Sequence, residues 1–276
     1  NAASVMANFF AEKGLDVTII TLFNRPHFYK LDDRIKIIDP PGDRTKGDKL
    51  WYYLKTVFFL RKNFRRLSPD RVLSYGDWTN ILVLMACIGI NTKVIISDRA
   101  SPDLKFQWYV GFLRKILYHR AHGILAQTER AARQKYKMLG KGINVRVIPN
   151  PVKPVQLYPE IKRRDIILGV GRHFYVKGLD RLIEAFALLN ENHNYKLFIV
   201  GSRGPETPEL FKIAEKHNLN PEEIFLEKTN NIDKLYAECK IFVLPSRSEG
   251  FPNSLIESMA AGLACISFDC SAGPRD

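Results

Sequence analysis

Short apolar runs recur at 17–22, 35–38, 71–74, 93–97, 123–126 and 145–148, and again at 165–170, 195–200, 224–227, 241–245 and 264–268. Several of the stretches between them carry apolar residues at helical spacing. Runs of four to six residues rich in Val and Ile read as strands, and strands alternating with helices predict a parallel α/β sheet. The two series are separated by 150–159, where Pro151, Pro154 and Pro159 suit neither helix nor strand and mark a linker. The pattern therefore predicts two Rossmann-like domains facing a central cleft, residues 1–153 and 154–276. Ahead of the first run, Val5, Phe9, Phe10 and Leu15 recur at helical spacing, so the chain is expected to open inside a helix with the usual first strand of such a domain absent.

No run of eighteen apolar residues occurs, and the opening residues lack the organisation of a signal peptide. The four cysteines, Cys87, Cys239, Cys265 and Cys270, form no C-x-x-C pair and sit in or beside apolar runs. Buried thiols and a cytoplasmic protein are expected. Charge changes the picture more. Residues 1–150 carry 26 Lys and Arg against 12 Asp and Glu, whereas residues 151–276 carry 16 against 17. The whole excess lies in the first half, which points to an anionic partner there: a membrane surface, a pyrophosphate-bearing acceptor or nucleic acid.

Candidate chemistry concentrates in the neutral half. Glu249 and Glu257 stand eight positions apart, one before the turn Gly250-Phe251-Pro252, the other inside a helix whose periodic residues are Leu255, Ile256 and Met259. Asn253 or Ser254 reads as the N-cap of that helix. A helix start at the carboxyl end of a parallel strand favours phosphate. Glu257, about one turn in, can take two hydrogen bonds from a vicinal diol such as ribose. Taken alone, the two acids fit a helix-dipole partner and a surface acid equally well. Upstream, 166–185 reads as a strand, a loop containing Gly169 and Gly171, and an amphipathic helix. Arg172 and Lys177 leave that strand's carboxyl end, where they could meet a diphosphate.

The passage Pro245-Ser246, Glu249-Gly250-Phe251-Pro252, Glu257, Ala260-Ala261-Gly262 and the strand after it resembles the paired-glutamate motif of the family 4 retaining glycosyltransferases, enzymes of GT-B fold. The tail Gly273-Pro274-Arg275 is similar to that of bacterial members using UDP-linked hexose or N-acetylhexosamine donors. The resemblance implies a hexosyltransferase that moves a sugar from a nucleotide diphosphate, with a UDP-linked donor expected, to a glycan or lipid-linked acceptor. It implies Arg172 and Lys177 on the diphosphate, Glu249 on the transferred sugar and Glu257 on the ribose. Gly171, Gly250 and the amides of Phe251, Asn253 and Ser254 would complete the donor cradle, with Asn230 near the base and sugar. Family members extend beyond both ends of this sequence, so a truncated chain is expected.

Cleaving a sugar–diphosphate bond builds negative charge on the leaving group, which Arg172 and Lys177 would stabilise. The chain has no Asp-x-Asp motif, so no metal and no cofactor beyond the nucleotide sugar are expected. His173 reads as an exposed neighbour of Arg172. On the basic half, polar segments at strand ends, 74–80, 97–102 and 127–129, are acceptor-site candidates. Arg99 is the preferred acceptor-side residue, with Asp77 second, a helix-capping role for Asp77 being the alternative. Residues 49–67 combine aromatic and aliphatic positions with six basic residues and no acid, the composition of an interfacial helix on an anionic membrane. Alternatively Leu50, Leu54, Phe58 and Phe64 pack on the sheet and leave a solvated basic face; the two readings are compatible, with core contacts on one side and Trp51, Tyr52 and Arg61 near lipid head groups. Three rivals stay open: a sugar-nucleotide-binding protein without turnover, a basic nucleic-acid-binding protein without recognisable motifs, and another enzyme of the same fold.

Overall fold

The computed structural model describes residues 2–24, 29–41, 49–152, 154–189, 194–227, 229, 231–270 and 272–276. The chain forms two compact units, Asn1–Pro151 and Val152–Asp276. In the first, the elements are α1 (Ala2–Glu12), β1 (Thr18–Ile20), β2 (Lys36–Ile38), α2 (Lys49–Leu67), β3 (Arg71–Tyr75), α3 (Asp77–Ala86), β4 (Lys93–Asp98), α4 (Trp108–Leu117), β5 (Gly123–Ala126), α5 (Glu129–Leu139) and β6 (Val145–Val147). Strands β3-β4-β5-β6 make a four-stranded sheet and β1-β2 a separate pair, all parallel. The second unit holds β7 (Arg164–Val170), α6 (Leu179–Ala187), β8 (Lys196–Val200), α7 (Thr207–Lys216), α8 (Pro221–Ile224), β9 (Phe225–Leu226), α9 (Ile232–Glu238), β10 (Cys239–Leu244), α10 (Asn253–Ala260) and β11 (Ala264–Ser267). Its five parallel strands run in the order β11-β10-β7-β8-β9.

Each expected strand is present, displaced by no more than two residues at either end. The central strands are buried on both faces, as parallel strands covered by helices must be. Ile96, Ile124 and Ala126 are fully buried in the first unit, with Leu60 and Phe64 of α2 and Ile81 and Leu84 of α3 in the same core. Leu168 and Phe242 play that part in the second, where Tyr236 and Ile166 pack in their cluster. Arg163, just ahead of β7, donates to the carbonyls of Tyr236, Cys239 and Ala261 at 3.2, 2.5 and 2.6 Å. It thereby satisfies the unpaired C-terminal carbonyls of α9 and α10.

Helix faces departed from the expected ones. In α1 the buried residues are Ala2, Ala7 and Ala11, whereas Phe9 is 48% exposed and Leu15 lies beyond the helix. Small residues let that helix approach closely, so bulk did not mark its inner face. In α2 only Phe64 of the four proposed packing residues is buried, alongside Thr56, Leu60 and Asn63; Leu50, Leu54 and Phe58 are exposed. Thr56 and Asn63 are tolerated inside because each donates to a carbonyl four residues back, Tyr52 and Phe59, at 2.8 Å. Arg61 does not reach outward as expected. Its guanidinium donates to the carbonyls of Ala86 and Ile88, at the C-terminus of α3.

The four thiols are free, Cys87, Cys239 and Cys270 buried and Cys265 half-buried. Burial pushes the Cys87 thiol up to about 11 and that of Cys239 to about 12. No helix among the described residues is long and apolar enough to cross a membrane.

Candidate functional site

In the second unit the chain runs outward from β7 to β8 and β9, then returns to place β10 on the other side of β7. The carboxyl ends of β7 and β10 therefore flank the point where the winding reverses, the crevice where open α/β sheets take ligands. The loop after β7 carries Arg172 and Lys177, and the loop after β10 carries Glu249. Groups some seventy residues apart in sequence are thus delivered to one edge by the strand order alone.

The two loops are tightly joined. Gly178 adopts φ +63°, and a Cβ there would fall 2.1 Å from the carbonyl oxygen of Pro245, so only glycine allows this approach. Lys177 Nζ donates to Glu249 Oε1 at 2.7 Å, and Ser246 Oγ donates to the same oxygen at 2.6 Å. Glu249 is 8% exposed. Among the described residues its Oε2 accepts no hydrogen bond, so one carboxylate oxygen is fixed by two donors while the other is left to a hydroxyl. Paired with an ammonium and a hydroxyl, this carboxylate serves as a hydrogen-bond acceptor.

Glu257 sits at the fifth position of α10, half-buried. The hydroxyl of Tyr236, a fully buried side chain, donates to its Oε2 at 3.4 Å. Burial, and then the Glu257 charge, push that phenol well above its ordinary value, so it remains a donor throughout the ordinary pH range. The cap of α10 differs from the expected one. Pro252 is the N-cap, Asn253 is the first helical residue, and its amide donates to Phe251 O at 3.1 Å. Proline at the cap removes a donor and tightens the Gly-Phe-Pro turn, leaving Ser254, at the second helical position, an amide with no intrahelical acceptor. Gly250 and Phe251 occupy the turn itself.

Arg172 is exposed, its guanidinium 4.8 Å from the Phe174 ring centroid, and among the described residues its side chain takes no hydrogen bond. Gly171 donates its amide to Val200 O at 2.9 Å, which fixes the start of that loop. His173 is not exposed: it is 2% accessible, packed on Phe225, with Nδ1 3.0 Å from Thr207 Oγ1. Thr207 Oγ1 also accepts from Gly204 N at 2.9 Å, so the histidine ties the β7–α6 loop to the β8–α7 loop. Burial, and then Arg203, lower its basicity, keeping the ring neutral. Asn230 lies outside the described residues; its neighbour Asn231 caps α9 by accepting from Lys234 N at 3.1 Å.

The strand ends of the first unit hold a buried ionic cluster that no pattern in the sequence announced. Asp98, at the end of β4, is 1% exposed and pairs with Arg114 of α4 at 2.5 Å and with Lys135 of α5 at 2.8 Å. The Arg114 guanidinium lies 4.0 Å from the Phe106 ring centroid and 3.4 Å from Asp77 Oδ1. Asp77 opens α3 as the acidic residue of its first turn, after the N-cap Gly76. Its carboxyl is pushed up to about 6, by burial first and the Asp98 charge second. Arg99 lies over the Tyr75 ring at 5.0 Å and donates to Asn150. Gln127 and Thr128 are buried, Thr128 accepting from Ala131 N at 3.1 Å as the N-cap of α5. Of the acceptor-side candidates, the structure brings Asp77 into the Asp98 cluster and holds Arg99 beside it in the chain. Among the described residues no group of three or more metal-ligating side chains converges.

Two Rossmann-like units of parallel strands alternating with helices have the architecture of the GT-B glycosyltransferases. Solved structures share this fold: the lipopolysaccharide outer core galactosyltransferase WaaB, TM-score 0.70 at 20% identity over all of this chain and 77% of that one, and sucrose-phosphate synthase from Thermosynechococcus elongatus, TM-score 0.81 at 17% identity over 97% and 74%. HepE of Anabaena, solved with UDP and glucose, matches with TM-score 0.73 at 13% identity over 93% and 81%. Residues 3–156 match the family Glycosyltransferase Family 4 and residues 157–276 match Glycosyl transferases group 1. The chain belongs to the family 4 glycosyltransferases. Its relatives include an uncharacterized glycosyltransferase of Haemophilus influenzae, 28% identical over 98% of this chain and 76% of that protein. Two Campylobacter jejuni enzymes are also similar. One is an alpha-1,4-N-acetyl-D-galactosaminyltransferase acting on a GalNAc-bearing diNAcBac-PP-undecaprenol, 27% identical over 95% of this chain and 73% of that one. The other is an N,N'-diacetylbacillosaminyl-diphospho-undecaprenol alpha-1,3-N-acetylgalactosaminyltransferase, 35% identical over 79% and 63%.

Proposed function

We propose that this glycosyltransferase moves a hexose or N-acetylhexosamine, with retention at the anomeric carbon and without a metal, from a UDP-linked donor to a lipid-linked saccharide. The observation that carries the reading is the convergence of Lys177, Ser246 and Glu249 at the switch point, with Glu257 on the adjoining helix. Glu257, with Tyr236 behind it, accepts from the two ribose hydroxyls. The free Oε2 of Glu249 accepts from a hydroxyl of the transferred sugar. Arg172 and Lys177 take the charge that develops on the departing diphosphate, and the amide of Ser254 adds a donor at the start of α10. Gly171, Gly250 and Phe251 keep the backbone close to the ligand. Glu249, held at Oε1 by two hydrogen bonds, suits contact with the sugar better than proton transfer.

Arg99 and Asp77 are the proposed acceptor-side residues of the basic unit. An anionic membrane face suits that unit as well. Leu50, Leu54 and Phe58 line one exposed edge of α2 beside Trp51, and Trp108, Phe112 and Ile116 line one of α4, Trp108 being 82% exposed. The lipid-linked acceptors named for the Campylobacter relatives support this placement at the inner membrane face.

A thermal-shift panel of UDP, GDP, ADP and their sugars tests the donor site. UDP and at least one UDP-sugar raise the melting temperature, since a ligand at about 100 times its Kd stabilises by about 2.7 kcal/mol. Glu257→Ala loses most of that shift. No shift with any nucleotide overturns the donor assignment, and an unchanged shift in Glu257→Ala overturns the ribose contact.

A further inference from the structure

We propose that Arg247 and Asp180 form a positioning clamp that sets the register of Lys177 against Glu249 and so governs use of the sugar portion of the donor. Arg247 stands two residues before Glu249, and Asp180 three residues after Lys177. The Arg247 guanidinium donates Nη1 to Asp180 Oδ1 at 2.7 Å and Nη2 to Oδ2 at 2.5 Å, a fork-to-carboxylate pair. Nη1 also donates to Tyr175 O at 2.9 Å, and the guanidinium lies 4.0 Å from the Tyr175 ring centroid. The Arg247 amide donates to Val176 O at 2.9 Å. Only 18% of the Arg247 side chain and 26% of Asp180 remain exposed, so the pair is partly shielded from water. Together with the Gly178–Pro245 approach, these bonds lock the turn Tyr175–Lys177 to the segment that carries Ser246 and Glu249.

The clamp matters because the pair it holds is otherwise slack. Lysine brings a four-carbon stem with several rotatable bonds, and its ammonium is a point charge with no preferred plane. The Lys177 side chain is 26% exposed and its one described ion pair is to Glu249. Arginine, by contrast, fixes direction as well as distance, and Asp180, in the first turn of α6, is anchored by the helix it begins. The rigid pair therefore sits beside the flexible one on the same two loops. Neither Arg247 nor Asp180 is assigned a contact with the donor.

This inference rests on the donor-site reading above, and two readouts separate their failures. The first needs no nucleotide: reductive methylation followed by mass spectrometry, comparing Lys177 with the exposed Lys162. Asp180→Asn and Arg247→Lys free Lys177 from Glu249 and raise its relative labelling rate about fivefold or more, while the charge swap Asp180→Arg with Arg247→Asp returns it toward the parent. The second uses UDP and UDP-GalNAc. Both single variants keep UDP affinity within about twofold and lose about tenfold or more in kcat for UDP-GalNAc turnover, because a displacement of about 1 Å costs about a hundredfold. A purely structural role predicts instead that Arg247→Lys melts much lower and loses UDP and UDP-GalNAc together. Unchanged labelling of Lys177 in both variants, or unchanged turnover, overturns the clamp. Absence of nucleotide binding by the parent overturns the donor reading, and the labelling result then still decides whether the clamp holds Lys177.

Discussion

At the scale of single residues, burial decides which charges do work. Asp98 and Asp77 lie in one cluster yet titrate in opposite directions. Burial alone would raise the Asp98 carboxyl, but Lys135 and Arg114 more than offset it and hold the group below its ordinary value of 3.8. Asp77 has only the more distant Arg114 contact and rises to about 6. A carboxyl raised in the folded chain binds its proton more tightly there than when unfolded. Its ionisation therefore costs stability, not at all below about pH 3.8, increasingly up to about pH 6, and fully above. Asp77→Asn should stabilise the protein at pH 8 by at most about 3 kcal/mol, since each tenfold change in proton affinity is worth about 1.4 kcal/mol. Thermal melts from pH 4 to 8 should show that advantage closing as the pH falls through 6. A constant advantage across the range would mean that the Asp77 charge is not what the substitution relieves.

At the scale of elements, glycines separate places where backbone approach is obligatory from places where it is not. Gly178 joins the turn Tyr175–Lys177 to α6 at φ +63° with Pro245 against its Cα. Gly178→Ala should cost about 1–3 kcal/mol and reduce donor binding, because the added Cβ must push the Glu249 loop away. Gly111 lies inside α4, and a Cβ there would meet nothing within 4 Å. Gly111→Ala should stabilise the protein by about 0.5–1 kcal/mol through helix propensity alone, measured by denaturant unfolding. Helices also show where the apolar pattern misled. Leu50, Leu54 and Phe58 occupy positions at i, i+4 and i+8 as a core stripe would, but the core takes Leu60 and Phe64 instead. A helix with apolar residues around more than one face does not declare which face is inner. The alternating strands were easier to read, since an apolar run too short for a helix and flanked by turn residues has few other outcomes.

At the scale of the whole molecule, charge and exposed apolar surface coincide in the first unit. If that unit meets an anionic bilayer, vesicles containing phosphatidylglycerol should bind the protein while pure phosphatidylcholine vesicles bind it far less. Raising salt should weaken the binding, each basic side chain near the surface contributing about 1 kcal/mol. Replacing Trp51 and Trp108 with Ser should weaken it further at every salt concentration, measured by vesicle flotation. Retention of full binding in that double variant would locate the contact elsewhere. The sequence by itself determined the alternation of strands and helices, the boundary between two units near 150–159, the excess charge of one unit, and the membership signalled by Glu249 and Glu257. These follow from local spacing, composition and covalent order. Tertiary structure alone decided that β7 and β10 lie side by side and that Lys177 reaches Glu249 where they meet, because strand order is a long-range choice that no window of sequence contains. It also decided that His173 is buried, that Pro252 caps α10, that Arg61 serves α3, and that Asp98, Arg114 and Lys135 close into a cluster. Each of those depends on which distant groups exclude water from a side chain, and that exclusion exists only after the chain has packed.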